Sequence, residues 1–360
     1  SGLIRVVTAI ICFIFYTIYI SAGLYGVGIS VEKLFNIPYG FGVIAGVIII
    51  VPYLYIGGYK TLAWIDLFQA LFLLLVILFV PLYIIPKIGG INTLYDSLNS
   101  YGRTNALIPN FAPSTFLAIF YSLCTWGLGY FGQPHIITKF MGINDPKKLK
   151  KSMFVGVSWQ IITLACASLV GLAAIIYFNG TLSDPEKAFI IIVKDTFSSY
   201  LSALILCGVI AATISTLDTQ ILVLASSITE DFYKRLINKN ASQKHLLIIS
   251  KFSVLVVALF SFIIAYLQIG TIYSLVLYAW SGLGCSFGPV LLFALYSKKA
   301  TKYGAWVGII IGGTISIFWN FIPYAPLKNI PTLVAGFTLS TIGIYLTSKM
   351  SSLKRNHAID

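Results

Sequence analysis

Residues 115–140 read TFLAIFYSLCTWGLGYFGQPHIITKF, an apolar run that is interrupted near its centre. The run is long enough to cross a bilayer, which takes about 20 mostly apolar residues. Three glycines and one proline fall within residues 127–134, and both residue types weaken a helix strongly. Irregular backbone is tolerated at membrane depth only where it is buried in protein or lines a cavity. The stretch therefore predicts a broken membrane helix, which in transporters marks the binding site.

The aromatic residues of this stretch suggest what the broken helix binds. Trp126, Tyr130 and Pro134 recur every four residues, so they are predicted to share one helical face. Trp and Tyr combine an apolar wall with a polar edge, which suits a small amphipathic substrate. The alternative is a glycine packing face with aromatic residues at the membrane interface. The local pattern favours binding but leaves both interpretations open.

The composition of the whole chain is that of a membrane protein. Of its 360 residues, 58% are hydrophobic and only 10% are charged, and the mean hydropathy is +0.91. A soluble domain carries about 25% charged residues. The apolar runs are long and continuous, which indicates helices and excludes an outer-membrane barrel. The net charge of +13 does not predict nucleic-acid binding, because Lys and Arg gather in the cytoplasmic loops of membrane proteins.

Ten apolar spans are predicted, which makes the chain an all-α polytopic protein of the bilayer. They lie near 3–28, 39–57, 62–88, 115–140, 152–178, 198–227, 247–268, 273–297, 303–323 and 330–349. With a cytoplasmic N-terminus, 18 of the 24 Lys and Arg residues fall inside and 6 outside. This bias predicts a multi-pass protein of the cytoplasmic (inner) membrane with both termini in the cytoplasm.

The polar residues do not form the motifs of an enzyme or a metal protein. The cysteines are odd in number and form no CxxC pair, and the histidines are far apart, so no disulfide framework, metal cluster or cofactor is predicted. No nucleotide loop or catalytic triad is present, which makes a membrane enzyme the least favoured class. A short outer helix is predicted near 185–195, because Asp184 and Pro185 are typical of a helix start.

The sixth span carries a dense polar cluster, AATISTLDTQ at 211–220. Ser215, Thr216 and Thr219 offer neutral oxygens of the kind that hard cations such as Na⁺ prefer. Asp218 is a carboxylate within or at the edge of the membrane, where such groups are costly and functional by default. The alternative is interhelical hydrogen bonding by Ser and Thr.

Two other stretches favour structural roles by position alone. The eighth span reads YAWSGLGCSFGP at 278–289, and its small residues favour close helix packing. Asp66 lies at the inner end of the third span, where a helix cap or a loop contact is the favoured interpretation.

Taken together, these stretches resemble the sodium:solute symporter family, and most closely its sodium/proline branch. The resemblance runs from about Ile4 to Leu346. Its most specific motifs are WGLGYFGQPH at 126–135, Ser215-Thr216 followed by SSITEDFYK at 226–234, and YAWSG at 278–282 with FGP at 287–289. Their occurrence together and in this order argues against coincidence.

The resemblance implies a leucine-transporter-type core of two inverted five-helix repeats, with substrate and Na⁺ near the midplane. Residues 1–360 would form a single membrane domain. Within it, 1–89 would be the remainder of the first repeat, 115–297 the second repeat, and 303–349 two additional helices. The family normally has three further helices before the position of Ser1, and the first helix of the first repeat supplies part of the ion and substrate sites.

The resemblance also implies roles for individual residues. Tyr19, Trp126, Tyr130 and Pro134 match substrate-pocket positions, and Gln133 lies in the same motif. For the coupling ion Na⁺, Ser215 and Thr216 match coordinating hydroxyls, and the carbonyl of Ala212 is a further ligand. Asp66 matches an acidic position linked to sodium coupling.

The function that follows from this resemblance is Na⁺-driven symport of proline or a similar small amino acid across the cytoplasmic membrane. Pantothenate or another small carboxylate is an alternative substrate. A truncated, non-transporting remnant and the transporter-like input module of a sensor are alternative functions. The expected partners are the small solute, Na⁺ and the lipid bilayer, with no nucleic acid.

Overall fold

The computed structural model of the protein describes residues 2–56, 59–100, 112–324, 327 and 329–356, and the regular structure in these ranges is entirely helical. The α-helices, numbered in chain order, are α1 Gly2–Phe35, α2 Tyr39–Ile56, α3 Tyr59–Lys87, α4 Gly90–Ser100, α5 Pro113–Tyr130, α6 Pro134–Met141, α7 Leu149–Tyr177, α8 Ala188–Thr196, α9 Ser199–Ser226, α10 Gln243–Leu267, α11 Ile272–Tyr296, α12 Lys302–Phe318 and α13 Thr332–Asn356. Short 3₁₀ turns lie at Pro146–Lys148, Pro185–Lys187 and Trp319–Phe321, and a π-helix at Ser227–Ile237 continues α9.

Every predicted span coincides with helix, which confirms an all-α polytopic membrane fold. In the part of the chain that the structure describes, seven helices are long and apolar enough to cross a membrane, and the bent pair α5–α6 makes an eighth. The apolar part of α2, Tyr39–Pro52, has 14 residues and is shorter than the candidate spans. Helix α13 is not among the helices that meet the length and hydropathy criteria for a span. The count of ten spans therefore stays a prediction.

The sixth predicted span extends further than its apolar residues. Residues 228–237, which lie beyond the end of the predicted span, belong to the π-helix Ser227–Ile237 that continues α9. Two polar contacts hold it. Lys234 forms an ion pair with Glu230 at 2.8 Å, and the hydroxyl of Tyr233 lies 2.7 Å from Nε2 of His245 on α10. Side-chain pairing of residues four apart thus prolongs the helix where hydropathy alone predicts its end.

The short helix predicted near 185–195 is confirmed as the turn Pro185–Lys187 followed by α8. The carboxylate of Asp184 accepts a hydrogen bond from the backbone N–H of Glu186 at 3.1 Å, as a helix start requires. The hydrogen bond from Lys187, whose Nζ lies 2.8 Å from Asp184, holds the pKa of that carboxyl below its usual value. Between the third and fourth predicted spans, α4 occupies Gly90–Ser100, and residues 101–111 lie outside the described residues.

Helix α1 is the central element of the fold. It packs against α2, α9, α10 and α11, and Phe15, Tyr16 and Ile20 on it are fully buried. Helices therefore surround α1 on several sides. Two of them, α9 and α11, carry residues of the candidate site, and their packing on α1 fixes their positions.

Glycines let α11 approach its neighbours closely. A Cβ on Gly282 would lie 2.1 Å from Cε1 of Phe15, and one on Gly312 of α12 would lie 2.1 Å from the carbonyl oxygen of Cys285. Small residues at such crossings allow close packing between membrane helices. The packing role predicted for the eighth span is therefore confirmed.

Candidate functional site

The fourth span is broken at the predicted place. Helix α5 ends at Tyr130 and α6 begins at Pro134, with a bend of 53° between them. Pro134 occupies the first turn of α6, where its missing N–H costs no helical hydrogen bond. The predicted shared face of Trp126, Tyr130 and Pro134 is wrong, because the turn at 131–133 places Pro134 on a different helix.

The turn between α5 and α6 lies directly on α11. A Cβ on Gly132 would lie 2.5 Å from the carbonyl oxygen of Leu283 and 2.6 Å from Cα of Gly284. A Cβ on Gly129 would lie 1.8 Å from Nε1 of Trp280. The glycines of the motif therefore allow the break to contact α11, in addition to weakening the helix.

Gln133 connects the break to α11. Its side chain is fully buried, and its Nε2 donates hydrogen bonds to the carbonyl oxygens of Gly129 and Trp280, both at 3.2 Å. Its Oε1 is buried and has no hydrogen-bond partner among the described residues. An unpaired buried acceptor is costly, so it offsets part of the stabilisation from the two hydrogen bonds that Nε2 donates.

Three aromatic side chains gather beside the break. The Trp280 ring lies 5.7 Å from that of Trp126 and 4.9 Å from that of Tyr130, measured between centroids. Nε1 of Trp280 donates to the carbonyl oxygen of Thr125 at 3.2 Å. Trp126 and Tyr130 are each 39% exposed, whereas Trp280 is 4% exposed. Trp280 was assigned no site role from the sequence, although it lies in the YAWSG motif.

Tyr19 joins the site from α1. It packs against the cluster that contains Trp280 and Leu333, and its ring stands edge-on to that of His135 with 5.9 Å between centroids. The structure thus brings Tyr19, Trp126, Tyr130 and Gln133 around the same segment of α5, α6 and α11.

Tyr16 and His135 form a buried pair that the sequence does not indicate. The Tyr16 hydroxyl accepts a hydrogen bond from the backbone N–H of His135 at 2.9 Å and lies 3.1 Å from its Nδ1. One hydroxyl therefore holds both the backbone and the ring at the start of α6.

Replacing Tyr16 by Phe is expected to destabilise the protein by about 1–3 kcal/mol, because buried groups of His135 lose their partner. The measurement is the thermal unfolding midpoint of the detergent-solubilised protein. Tyr95→Phe on the exposed part of α4 is the matched control. Equal midpoints for the Tyr16 variant and the control would contradict a supporting role for this hydroxyl.

The polar segment of α9 meets Asp66 of α3. Oγ of Ser215 donates to Oδ1 of Asp66 at 2.5 Å, and Oδ2 of Asp66 pairs with Nζ of Lys139 at 2.8 Å. The hydroxyl of Thr216 lies 3.4 Å from the carbonyl oxygen of Ala212. Asp66 is therefore neither a helix cap nor a loop contact, because it joins the predicted sodium ligands on α9.

Asp218, the other carboxylate of this segment, is fully buried. Its Oδ1 accepts a hydrogen bond from the Thr219 hydroxyl at 3.1 Å. The hydroxyl of Thr219 also lies 3.2 Å from the carbonyl oxygen of Ser215. Asp66 therefore contacts the Ser215 side chain directly, whereas Asp218 is linked to the Ser215 carbonyl through the Thr219 hydroxyl.

A cavity of about 870 Å³ lies between α1, α3, α6 and α9. Asp66, Pro134, Lys139 and Thr219 line it, and Asp231 of the π-helix lies at its wall. Tyr19, Trp126 and Tyr130 do not line this cavity. The predicted residues thus form two groups on either side of the break: an aromatic group and a group around Asp66.

The side chains that meet at Asp66 offer oxygen donors. Within the described ranges, no three His, Cys, Asp or Glu side chains come together as a metal-binding group. The Asp66 carboxylate and the Ser215 hydroxyl, which are in contact, are oxygen donors of the kind that hard cations prefer. Sodium binding at this position stays a prediction.

Comparison with known proteins gives one family. The profile of the sodium:solute symporter family matches residues 1–312. The osmoregulated proline transporter of Bacillus subtilis is 33% identical over 354 residues, covering 98% of this chain and 71% of that protein. The sodium/proline symporter of Staphylococcus aureus is 36% identical over 362 residues, covering 98% of this chain and 70% of that protein.

A solved structure shows the same fold. The substrate-bound, outward-open structure of a Na⁺-coupled sialic acid symporter superposes with a TM-score of 0.80 at 16% sequence identity. The match covers 97% of this chain and 75% of that one. The helical arrangement described above is therefore that of a known Na⁺-coupled symporter.

Proposed function

Because the chain belongs to the sodium:solute symporter family, we propose that it carries proline into the cell together with Na⁺. Coupled transport of a solute with Na⁺ is the activity of the family. Proline as the solute is supported by the relatives at 33% and 36% identity, which are named as proline transporters. The alternatives, pantothenate or another small carboxylate, are tested by competition below.

The observation that carries this proposal is the contact between Asp66 and Ser215, beside a broken helix. Asp66 and Ser215 come from α3 and α9, and Lys139 connects the same carboxylate to α6. A cation bound there would contact α3 and α9 and would compete with the Lys139 ammonium of α6 for the same carboxylate. Helix α6 begins at the break and also reaches Asp66 through Lys139. Ion binding at Asp66 and substrate binding at the break would therefore both act on α6, as coupled transport requires.

The aromatic group supplies the substrate side of the proposal. Trp126 and Tyr130, each 39% exposed, offer apolar ring surface to a small ring such as that of proline, and the buried Trp280 packs behind them. Gln133 connects this group to the break, because its Nε2 donates to the carbonyl oxygens of Gly129 and Trp280. Tyr19 closes this group from α1.

The proposed placement in the membrane follows from charge. With both ends of this chain in the cytoplasm, 18 of the 24 Lys and Arg residues lie on the cytoplasmic side. The cavity around Asp66 and Lys139 would then open towards the cytoplasm. The division into 1–89, 115–297 and 303–349 as first repeat, second repeat and additional helices belongs to the same proposal.

Uptake by proteoliposomes tests the proposed function. Labelled proline is expected to enter in external Na⁺ and not in external K⁺ of equal concentration. Unlabelled proline is expected to compete fully, while pantothenate and acetate leave uptake unchanged. Equal uptake in K⁺ would contradict Na⁺ coupling, and stronger competition by pantothenate would contradict proline as the substrate.

A further inference from the structure

One carboxylate joins three helices through a lysine and a serine. Lys139 on α6 lies 2.8 Å from Oδ2 of Asp66 on α3, and Ser215 on α9 lies 2.5 Å from Oδ1 of the same side chain. Both carboxylate oxygens are therefore engaged. Nothing in the sequence pairs Lys139 with Asp66, from which it is separated by 73 positions.

We propose that the ammonium of Lys139 is a tethered substitute for Na⁺, which holds Asp66 until the ion binds and displaces it. The inference deepens the proposed Na⁺-coupled transport and rests on it. An ammonium and Na⁺ compete for one carboxylate, since both are compact cations that seek oxygen donors. Lys139 thus sets how much Na⁺ is needed to occupy the Asp66 site.

Asp66 needs a cation beside it in either state. Its side chain is only 17% exposed, and a carboxylate that is largely buried in protein is costly to leave unpaired. Lys139 supplies the positive charge when Na⁺ is absent. When Na⁺ arrives, the ion replaces that charge, so the carboxylate is never left without a counter-ion.

Lys139 has room to leave. Its side chain is 45% exposed, and both Lys139 and Asp66 line the cavity of about 870 Å³. An exposed ion pair of this kind contributes little to stability. The pair is therefore weak enough for Na⁺ to exchange with the ammonium, and the long lysine chain can move into the cavity.

The exchange would also act on the substrate segment. Lys139 lies in the last turn of α6, and the first residue of α6 is Pro134, at the helix break. While Lys139 binds Asp66, α6 is tied to α3; once Na⁺ takes its place, this tie is lost. Ion binding would thereby free the half-helix that begins beside Gln133.

Binding of radiolabelled Na⁺ to the purified protein tests the inference without relying on transport. Lys139→Gln, which removes the competing charge, is expected to lower the half-saturating Na⁺ concentration about two- to fivefold, the range that an exposed ion pair supplies. Lys139→Arg retains the charge and is expected to stay near the wild type. Lys150→Gln, an exposed lysine outside this cluster, is the matched control.

The outcomes separate this inference from the proposed function. An unchanged or increased half-saturating concentration in Lys139→Gln, at a Na⁺ capacity equal to that of the wild type, would overturn it. A loss of Na⁺ capacity in Lys139→Gln, together with full capacity in Lys139→Arg, would overturn the inference as well. That result would show that the positive charge of Lys139 supports the site and does not compete with Na⁺. If proline uptake fails while Na⁺ binds, the proposed substrate is wrong, but the binding comparison still decides the role of Lys139.

Discussion

Asp66→Asn is expected to raise the Na⁺ concentration for half-maximal uptake about tenfold or more. The amide still accepts a hydrogen bond from Ser215, so the geometry of that contact remains possible, but the charge that attracts the ion is lost. Hydrogen bonds and contacts with charged groups contribute about 1.5–3 kcal/mol, and about 1.4 kcal/mol is a factor of ten. The measurement is proline uptake over a series of Na⁺ concentrations in proteoliposomes.

The control for this variant is Asp96→Asn on α4, where the carboxylate is exposed and the helix packs mainly against α3 and α7. That variant is expected to keep the Na⁺ dependence of the wild type. A normal half-saturating concentration in Asp66→Asn would exclude Asp66 from the sodium site and would leave its contact with Ser215 as structural only.

Gly132→Ala is expected to reduce proline uptake about tenfold or more and to lower the midpoint of thermal unfolding. The added Cβ would lie 2.5 Å and 2.6 Å from backbone atoms of α11. Backbone atoms cannot rotate away, so the turn itself must shift. Overpacking of this kind costs about 1–3 kcal/mol, and the displacement moves Gln133 and Pro134, which directly follow. Uptake and unfolding are measured on the same preparation.

Gly127→Ala provides an internal control from the same motif. A Cβ there would meet nothing within 4 Å, and alanine favours helix over glycine by about 0.5–1 kcal/mol. This variant is expected to keep full uptake. Equal losses in the two variants would show that the motif's glycines matter for helix flexibility and not for the contact between the break and α11.

The sequence predicts the local features of this molecule well, because they depend on neighbouring residues. Glycines and a proline near the centre of the fourth span predict its break, and Asp184-Pro185 predicts the start before α8. The same local logic fails for Pro134. A four-residue spacing implies one face only while the helix continues, and here it ends at Tyr130.

The contacts that build the site are long-range and follow from helix packing. Asp66 and Ser215 are separated by 149 positions, and Gln133 bonds to Trp280 across 147. No periodicity links such residues. The family resemblance identified Asp66 and Ser215 separately, but only the structure places them in contact, and it adds Lys139 to the pair.

The roles of Trp280 and Tyr16 show a second limit. Both are buried on helices whose neighbouring residues are apolar or small, so their pattern resembles that of ordinary core residues. Trp280 had a signal in the YAWSG motif, which was interpreted as packing. Tyr16 had none, because its function depends on the backbone N–H of His135, 119 positions away.

Coupled fluxes in one vesicle preparation test the account most directly. Labelled proline and radiolabelled Na⁺ are followed together in proteoliposomes that contain the protein. The account predicts that external proline accelerates Na⁺ entry, that external Na⁺ is required for proline entry, and that Asp66→Asn weakens both effects. Na⁺ entry that is indifferent to proline, with proline entry equal in Na⁺ and K⁺, would contradict it.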